Sequence, residues 1–198
     1  MKYDFLVEAY ATERIKILSV WSEFNDEDLP IRPHDGDPRG RSVLEQMVHQ
    51  CLSEDGWFKS MLGIDVAASP LPKDETRKAF IACYAEDSEK RWRALQEKDD
   101  AWWEETTRFF EENRSRAWVM TRRLTHSSHH RGQQMAMLRM LGRDLHSNYG
   151  PTADTGGLPK DKAPTIYAYA NLNDLLAGGN KAPLPGAAGK IVTERPGR

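Results

Sequence analysis

Apolar side chains recur every third or fourth residue in four long stretches of this chain, and this is the spacing of one face of an α-helix. The stretches share this period and cover about residues 3–24, 42–62, 74–98 and 115–141. In the first, Leu6, Tyr10, Ile17 and Trp21 fall on one side. Because a helix with an apolar stripe must bury it against another element, the pattern predicts an all-α fold built as a helical bundle.

Local signals mark where several of these helices begin and end. Ser42-Val-Leu-Glu45 has the pattern of a capping box, in which each side chain satisfies a free backbone amide. Ser115 can cap the last long helix, and Gly63 and Gly142 are suitable residues for helix ends. Residues 102–114 combine strand-forming residues with polar ones, so they are interpreted either as strand or as an irregular loop at one end of the bundle.

Charge and composition exclude several classes of protein. The net charge of the 198 residues is −2, without the clustered basic face that nucleic-acid binding needs. No apolar run approaches membrane-spanning length, and the first residues lack the apolar core of a signal peptide. Cys51 and Cys83 lack CxxC spacing and are interpreted as small buried hydrophobes in a reducing compartment. We therefore expect a cytoplasmic protein that binds neither nucleic acid nor membrane.

The composition changes after the last long helix. Six of the eleven prolines and eight of the fourteen glycines lie between residues 150 and 198. One short apolar helix is predicted there, at about residues 171–177. We therefore expect a bundle over residues 1–147 and an irregular extension over residues 148–198 that packs on the bundle or on a neighbouring subunit.

Three histidines indicate a metal site. His126 and His130 are four residues apart in the last long helix, so both imidazoles leave the same face, as in helices that give two ligands to one metal ion. His49 lies at the edge of the apolar stripe of an earlier helix and is the candidate third ligand. Periodicity alone leaves open a pair of ordinary surface histidines and a half-buried His49.

The other histidines fit this site less well. His129 points about 100° away from His130 and is interpreted as a surface residue or a support for the ligands. His34 and His146 are expected to be exposed. Three further polar residues near the histidines are candidates for supporting the site, or else ordinary helix residues: Glu45, Arg131 and Gln134.

These motifs resemble those of the DinB/YfiT-like superfamily. The resemblance rests on His49 within Met47-Val-His-Gln50 and on the HxxxHRGQ signature of His126-Ser-Ser-His-His-Arg-Gly-Gln133, and it covers about residues 3–145. It implies a four-helix bundle with up-down-down-up topology that is often dimeric. It also implies a divalent metal held by His49, His126 and His130.

The resemblance also implies chemistry. Members with known activity include bacillithiol and mycothiol S-transferases and a mycothiol-dependent maleylpyruvate isomerase, whereas others are damage-inducible proteins of undetermined activity. We therefore expect a homodimeric metal-dependent thiol S-transferase with Zn²⁺ or Ni²⁺, and Fe²⁺ as a further option, that acts on a small molecule with a low-molecular-weight thiol. Two alternatives stay open: a non-catalytic metal-binding protein that works through dimerisation or a partner, and a metal-dependent hydrolase.

Overall fold

Four long helices dominate the computed structural model, which describes residues 1–66 and 69–185. The α-helices and strands follow the order α1 (Asp4–Glu23), α2 (Val43–Met61), α3 (Arg77–Gln96), α4 (Asp100–Glu104), β1 (Thr106–Phe109), β2 (Glu112–Ser115), α5 (Arg116–Met140) and α6 (Leu172–Leu176). The long helices α1, α2, α3 and α5 match the four predicted stretches. The prediction of a mainly helical bundle is confirmed.

Side-chain pairs fix the direction of α1 relative to two neighbours. Arg14 donates to Ser88 of α3 at 3.1 Å, whereas Trp21, further along α1, packs on the earlier Phe80 with ring centroids 6.5 Å apart. Helices α1 and α3 are therefore antiparallel. The contacts with α5 run in the same direction along both helices: Glu13 pairs with Arg131, and the later Trp21 donates to the later Gln134. Helices α1 and α5 are therefore parallel.

The fourth direction follows from the contact between α2 and α5. Gln46 donates to Gln133 at 2.9 Å, whereas the later Ser53 accepts from the earlier Arg123 at 3.0 Å. Helix α2 is therefore antiparallel to α5 and parallel to α3. This is the expected up-down-down-up order, and it requires the chain to return along the bundle between the end of α2 and the start of α3.

Side-chain caps define where three of the long helices begin. The predicted capping box is present: Glu45 N–H donates to Ser42 Oγ at 3.2 Å, and Ser42 N–H donates to the Glu45 carboxylate at 2.8 Å. Ser115 accepts from the backbone N–H of Trp118, as expected. Thr76 caps α3 in the same way, so this helix begins three residues later than the apolar pattern suggested.

The ambiguous segment over residues 102–114 contains regular structure. The end of helix α4 is followed by an antiparallel hairpin in which Thr106 pairs with Ser115 and Phe109 with Glu112. Phe110 adopts a left-handed conformation at φ 50°, which lets the chain reverse between the strands. Phe109 packs edge-on against Trp57 at 5.2 Å and so fixes the hairpin to α2 beside the histidines.

The described part of the C-terminal extension lies against the bundle. Helix α6 matches the predicted short helix, and Lys181 pairs with the buried Glu23 of α1 at 3.2 Å. The expectation that His146 is exposed is wrong, because its Nδ1 lies 2.9 Å from Glu23 and its Nε2 lies 2.7 Å from the carbonyl oxygen of Ala182. The extension covers this end of the bundle and supplies the second partner. Residues 186–198 of the predicted extension lie outside the described residues.

Two smaller expectations concern exposure and membranes. His34 is exposed, as predicted, whereas Cys51 is buried and Cys83 half-buried, both as free thiols. Within residues 1–66 and 69–185, no helix combines the length and the apolar character needed to cross a membrane.

A buried carboxylate joins the four long helices. Glu54 of α2 is 1% exposed and accepts hydrogen bonds from Tyr10 of α1 at 2.6 Å and from Tyr84 of α3 at 2.9 Å. Arg91 lies 3.5 Å and Arg123 4.0 Å from the same carboxylate. Because burial without partners would cost each charge several kcal/mol, the members of this network depend on one another.

We predict that Glu54→Ala lowers the free energy of unfolding by about 3–5 kcal/mol, since it leaves two guanidinium groups buried beside a void. Urea denaturation followed by circular dichroism measures the change. Glu86→Ala is the matched control, because this α3 glutamate is exposed and pairs only with Lys90 among the described contacts. A Glu54→Ala variant as stable as the control would contradict this account of the core.

Candidate metal centre

The three predicted histidines meet at the interface between α2 and α5. The Nε2 atom of His126 lies 3.4 Å from Nε2 of His49 and 3.2 Å from Nε2 of His130. One nitrogen from each ring falls within a group whose members are all within 4.8 Å of one another. The i,i+4 spacing places two rings on one face of α5, and the antiparallel packing of α2 places the third opposite them.

This spacing fits a metal ion. Nitrogen ligands about 2.0–2.1 Å from a tetrahedral zinc ion lie about 3.3 Å from one another, close to the two distances observed here. Three imidazoles leave at least one position for water or substrate, which is the arrangement of catalytic rather than structural sites. The donor set therefore fits a divalent transition metal.

The environment keeps the rings neutral. Burial and then the charge of Arg123 lower the pKa of His126 to about 3. Burial and then His49 lower the pKa of His130 to about 4. The pKa of His49 is also lowered, first by burial and then by Arg41. A neutral imidazole keeps a nitrogen lone pair, and metal coordination requires that lone pair.

A chain of amides orients His130. Its Nδ1–H donates to Gln46 Oε1 at 2.8 Å, which leaves Nε2 unprotonated and directed towards the other two rings. The Gln46 amide donates in turn to Gln133 at 2.9 Å, and the Gln133 amide lies 3.1 Å from Nε2 of the exposed His129. Gln46 therefore fixes both the tautomer and the ring orientation of His130.

His126 is held by ring packing instead. Its imidazole lies 5.4 Å from the Trp57 ring at an angle of 32° between the planes, and its Nδ1 has no hydrogen-bond partner in the part of the chain that the structure describes. The Arg123 guanidinium lies 5.3 Å from the same indole. Arg123 also lies 4.0 Å from Glu54, so the buried charge network of the core is connected to His126 through Arg123 and Trp57.

The histidines line an open cavity of about 370 Å³. The six lining residues all carry basic or imidazole side chains: Arg41, His49, Arg122, His126, His129 and His130. No carboxylate lines this cavity among the described residues. His129 lies at its edge and not in the ligand group, as its position on the helix suggested.

Glu45 does not support the ligands. Its carboxylate accepts from the backbone N–H of Ser42 in the capping box and forms an ion pair with Arg32. Glu45 lies one turn before His49, but the residue that faces the site is Gln46, three positions before His49. Gln46 lies on the side of α2 that meets α5. Its contact with His130 follows from how the two helices pack and not from the local sequence.

Arg131 and Gln134 also have other partners. The Arg131 guanidinium makes a buried ion pair with Glu13 of α1 at 3.1 Å, and Gln134 accepts from the Trp21 indole at 3.3 Å. Both side chains tie α5 to α1, and the Trp21 indole that bonds Gln134 also donates to Gln50 of α2 at 3.4 Å. Their interpretation as supports for the metal ligands is therefore replaced by a role in helix packing.

Comparison with known proteins decides the family. Residues 2–157 match the family model described as DinB family. The chain belongs to the DinB family. No curated protein matches at a significant level.

Three solved structures share the DinB fold. A DinB-like protein from Bacillus cereus has a TM-score of 0.62 and 17% sequence identity, over 72% of this chain and 94% of the other. YfiT from Bacillus subtilis, described as "a probable metal-dependent hydrolase with an unusual four-helix bundle topology", has a TM-score of 0.56 and 17% identity, over 71% and 87%. The DinB-like protein YjoA from Bacillus subtilis has a TM-score of 0.54 and 11% identity, over 69% and 92%. At these identities the likeness shows the fold.

We predict that Gln46→Ala weakens Zn²⁺ binding by about 10–100-fold, because His130 loses the partner that fixes its tautomer. Competition with a chromophoric chelator measures the affinity. Gln96→Ala, at the exposed end of α3, is the matched control and should bind as the unchanged protein does. Equal affinities for the two variants would show that Gln46 does not support the site.

Stability of the metal-free protein should depend on the histidines. In the unfolded chain a histidine has a pKa of about 6.5, whereas His126 and His130 in the fold have pKa values of about 3 and about 4. The unfolded chain therefore binds protons more readily, and the two histidines make the free energy of unfolding decrease as the pH falls from about 6.5 towards about 4. Urea denaturation between pH 7 and pH 4.5 should show a smaller decrease for His126→Asn/His130→Asn. The same decrease in both proteins would contradict the assigned protonation states.

Proposed function

We propose that this DinB-family protein is a metal-dependent thiol S-transferase in which His49, His126 and His130 hold Zn²⁺ or Ni²⁺, with Fe²⁺ as a further option. The observation that carries the proposal is the convergence of three neutral imidazole nitrogens on an open cavity that no carboxylate of the described residues lines. Imidazole ligands suit these three metals. We also propose that the protein acts on a small molecule as a homodimer.

The composition of the cavity favours a thiol as the nucleophile. A divalent ion with an open position favours the thiolate form of a bound thiol, which is a strong nucleophile at neutral pH. Such a reaction needs no general base from the protein, which suits a cavity lined by arginine and histidine. The thiol sulfur forms a bond to an electrophilic carbon, the leaving group departs with the bonding electron pair, and the thiol proton passes to solvent.

Each group of residues has a role in this proposal. Gln46 keeps the Nε2 lone pair of His130 directed into the site. Trp57 covers one side of the His126 ring and limits the access of water from that side. The arginines at the edge of the cavity favour a negatively charged sulfur over a neutral one.

A metal-dependent hydrolase is the second candidate. It is favoured by His129, whose exposed imidazole lines the cavity beside the three ligands, and by the description of YfiT. A third candidate is a non-catalytic, damage-inducible metal-binding protein that acts through dimerisation. Activity measurements separate the three candidates.

The test is conjugation of monochlorobimane to a series of low-molecular-weight thiols by the metal-loaded protein. We expect a metal-dependent rate that a chelator abolishes, and that His126→Ala/His130→Ala lacks together with its bound metal. His129→Ala is the control and should keep metal content and thiol conjugation.

Each alternative has its own outcome. Metal-dependent cleavage of 4-nitrophenyl acetate that is lost in His129→Ala, without thiol conjugation, would favour the hydrolase. A protein that binds metal but catalyses neither reaction would favour the non-catalytic candidate. Equal metal content in the unchanged protein and in His126→Ala/His130→Ala would contradict the histidine site itself.

A further inference from the structure

Two arginines lie at the edge of the histidine cavity without an acidic partner. Arg41 precedes the first turn of α2, and Arg122 lies in α5 four residues before His126. Both are exposed and line the cavity together with the histidines. Arg122 donates to Thr125 Oγ1 at 3.2 Å, but no carboxylate pairs with either guanidinium within residues 1–66 and 69–185.

Other arginines around the site are paired. Arg32 pairs with Glu45, and Arg39 pairs with Asp37 at 2.7 Å. In α5, Arg131 directly follows His130 and pairs with Glu13 of α1 at 3.1 Å. Near the cavity, the arginines outside its lining therefore have acidic partners, whereas the two that line it have none among the described residues.

The two guanidinium groups flank the histidines from opposite ends. Helices α2 and α5 are antiparallel, and His130 lies nearer the start of α2 than His126 does, because it bonds Gln46. Arg41 is therefore beyond the His130 end of the group, and Arg122 is beyond the His126 end. The three residues Arg122, His126 and His130 share one face of α5 at intervals of four residues.

The positive charges of these two arginines act on the three histidines of the cavity. After burial, Arg41 is the largest charge effect that lowers the pKa of His49, and Arg41 also contributes to the lowered pKa of His130. Arg122 contributes to the lowered pKa of His126. A bound divalent cation would add to this positive potential, so a neutral substrate would leave an uncompensated cluster of positive charge.

We propose that the substrate of this site carries an oxyanion, either a carboxylate or a phosphate group, which Arg41 and Arg122 bind while a second atom of the substrate reaches the histidines. This proposal rests on the proposed function for the identity of that second atom. Guanidinium groups suit the role because their planar N–H donors match the two oxygens of a carboxylate or phosphate. The arginines would thus select anionic substrates and hold them beside the histidines.

The test compares two thiols on the full chain loaded with Co²⁺, whose thiolate complexes absorb in the near ultraviolet. One is 3-mercaptopropionate, and the other is 2-mercaptoethanol, which lacks the carboxylate. We expect the carboxylate thiol to bind at least tenfold more tightly. In Arg41→Gln/Arg122→Gln this preference should fall to about one, and in the single variants it should take intermediate values.

A matched control removes an arginine elsewhere. Arg93→Gln changes an exposed arginine of α3 that pairs with Glu89, and it should keep the preference. Elemental analysis and circular dichroism check that the variants keep metal and fold, and Arg41→Lys/Arg122→Lys gives a second pair that keeps the charge and reduces the preference. Equal affinity for the two thiols, or a preference unchanged in the double glutamine variant, would overturn the proposal.

A further arm separates this proposal from the proposed function. If neither thiol produces the absorption band, thiol binding fails, and the oxyanion proposal is decided by calorimetric titration with inorganic phosphate and with malonate. Binding of either anion that weakens at least tenfold in Arg41→Gln/Arg122→Gln supports it, and the preferred probe shows whether phosphate or carboxylate is the natural group. Undetectable binding, or equal binding by the variant, overturns it.

Discussion

The position of α2 relative to α5 is the constraint on which the candidate metal centre depends. Two ligands come from adjacent turns of α5 and are close to each other wherever that helix packs, whereas His49 meets them only in one antiparallel arrangement. Gln46 and Ser53 contact α5 on either side of His49, through Gln133 and Arg123. A shift of one turn between the helices would move His49 by about 5.4 Å and separate it from the pair.

The buried charges of the bundle give this arrangement its specificity. Glu54 and Arg123 are each 1% exposed by side chain, and each has polar partners on neighbouring helices. An apolar core tolerates sliding of one helix on another, whereas a buried ion that loses its partner costs several kcal/mol. Arg123 also packs over Trp57, which in turn contacts His126. The same interactions that align the helices therefore hold one of the ligands.

Much of this organisation follows from the sequence, because helical periodicity and the i,i+4 histidine pair are local properties. The four long helices, the capping box and the short helix near residue 172 could be predicted in this way. The residues that surround the site could not, since they depend on which side of each helix meets its neighbour. Gln46 was missed for this reason, whereas Glu45 and Arg131 proved to serve a helix cap and an ion pair to α1. His146 became buried through contact with a distant segment that has no local signal.

The central claim is that His49, His126 and His130 bind one metal ion together. X-ray diffraction from crystals of the zinc-loaded protein, with data collected on both sides of the zinc absorption edge, tests this directly. The account predicts one strong anomalous peak about 2.0–2.1 Å from an Nε2 atom of each of the three histidines. A peak bound elsewhere, or a peak with only the two α5 histidines as protein ligands, would contradict it.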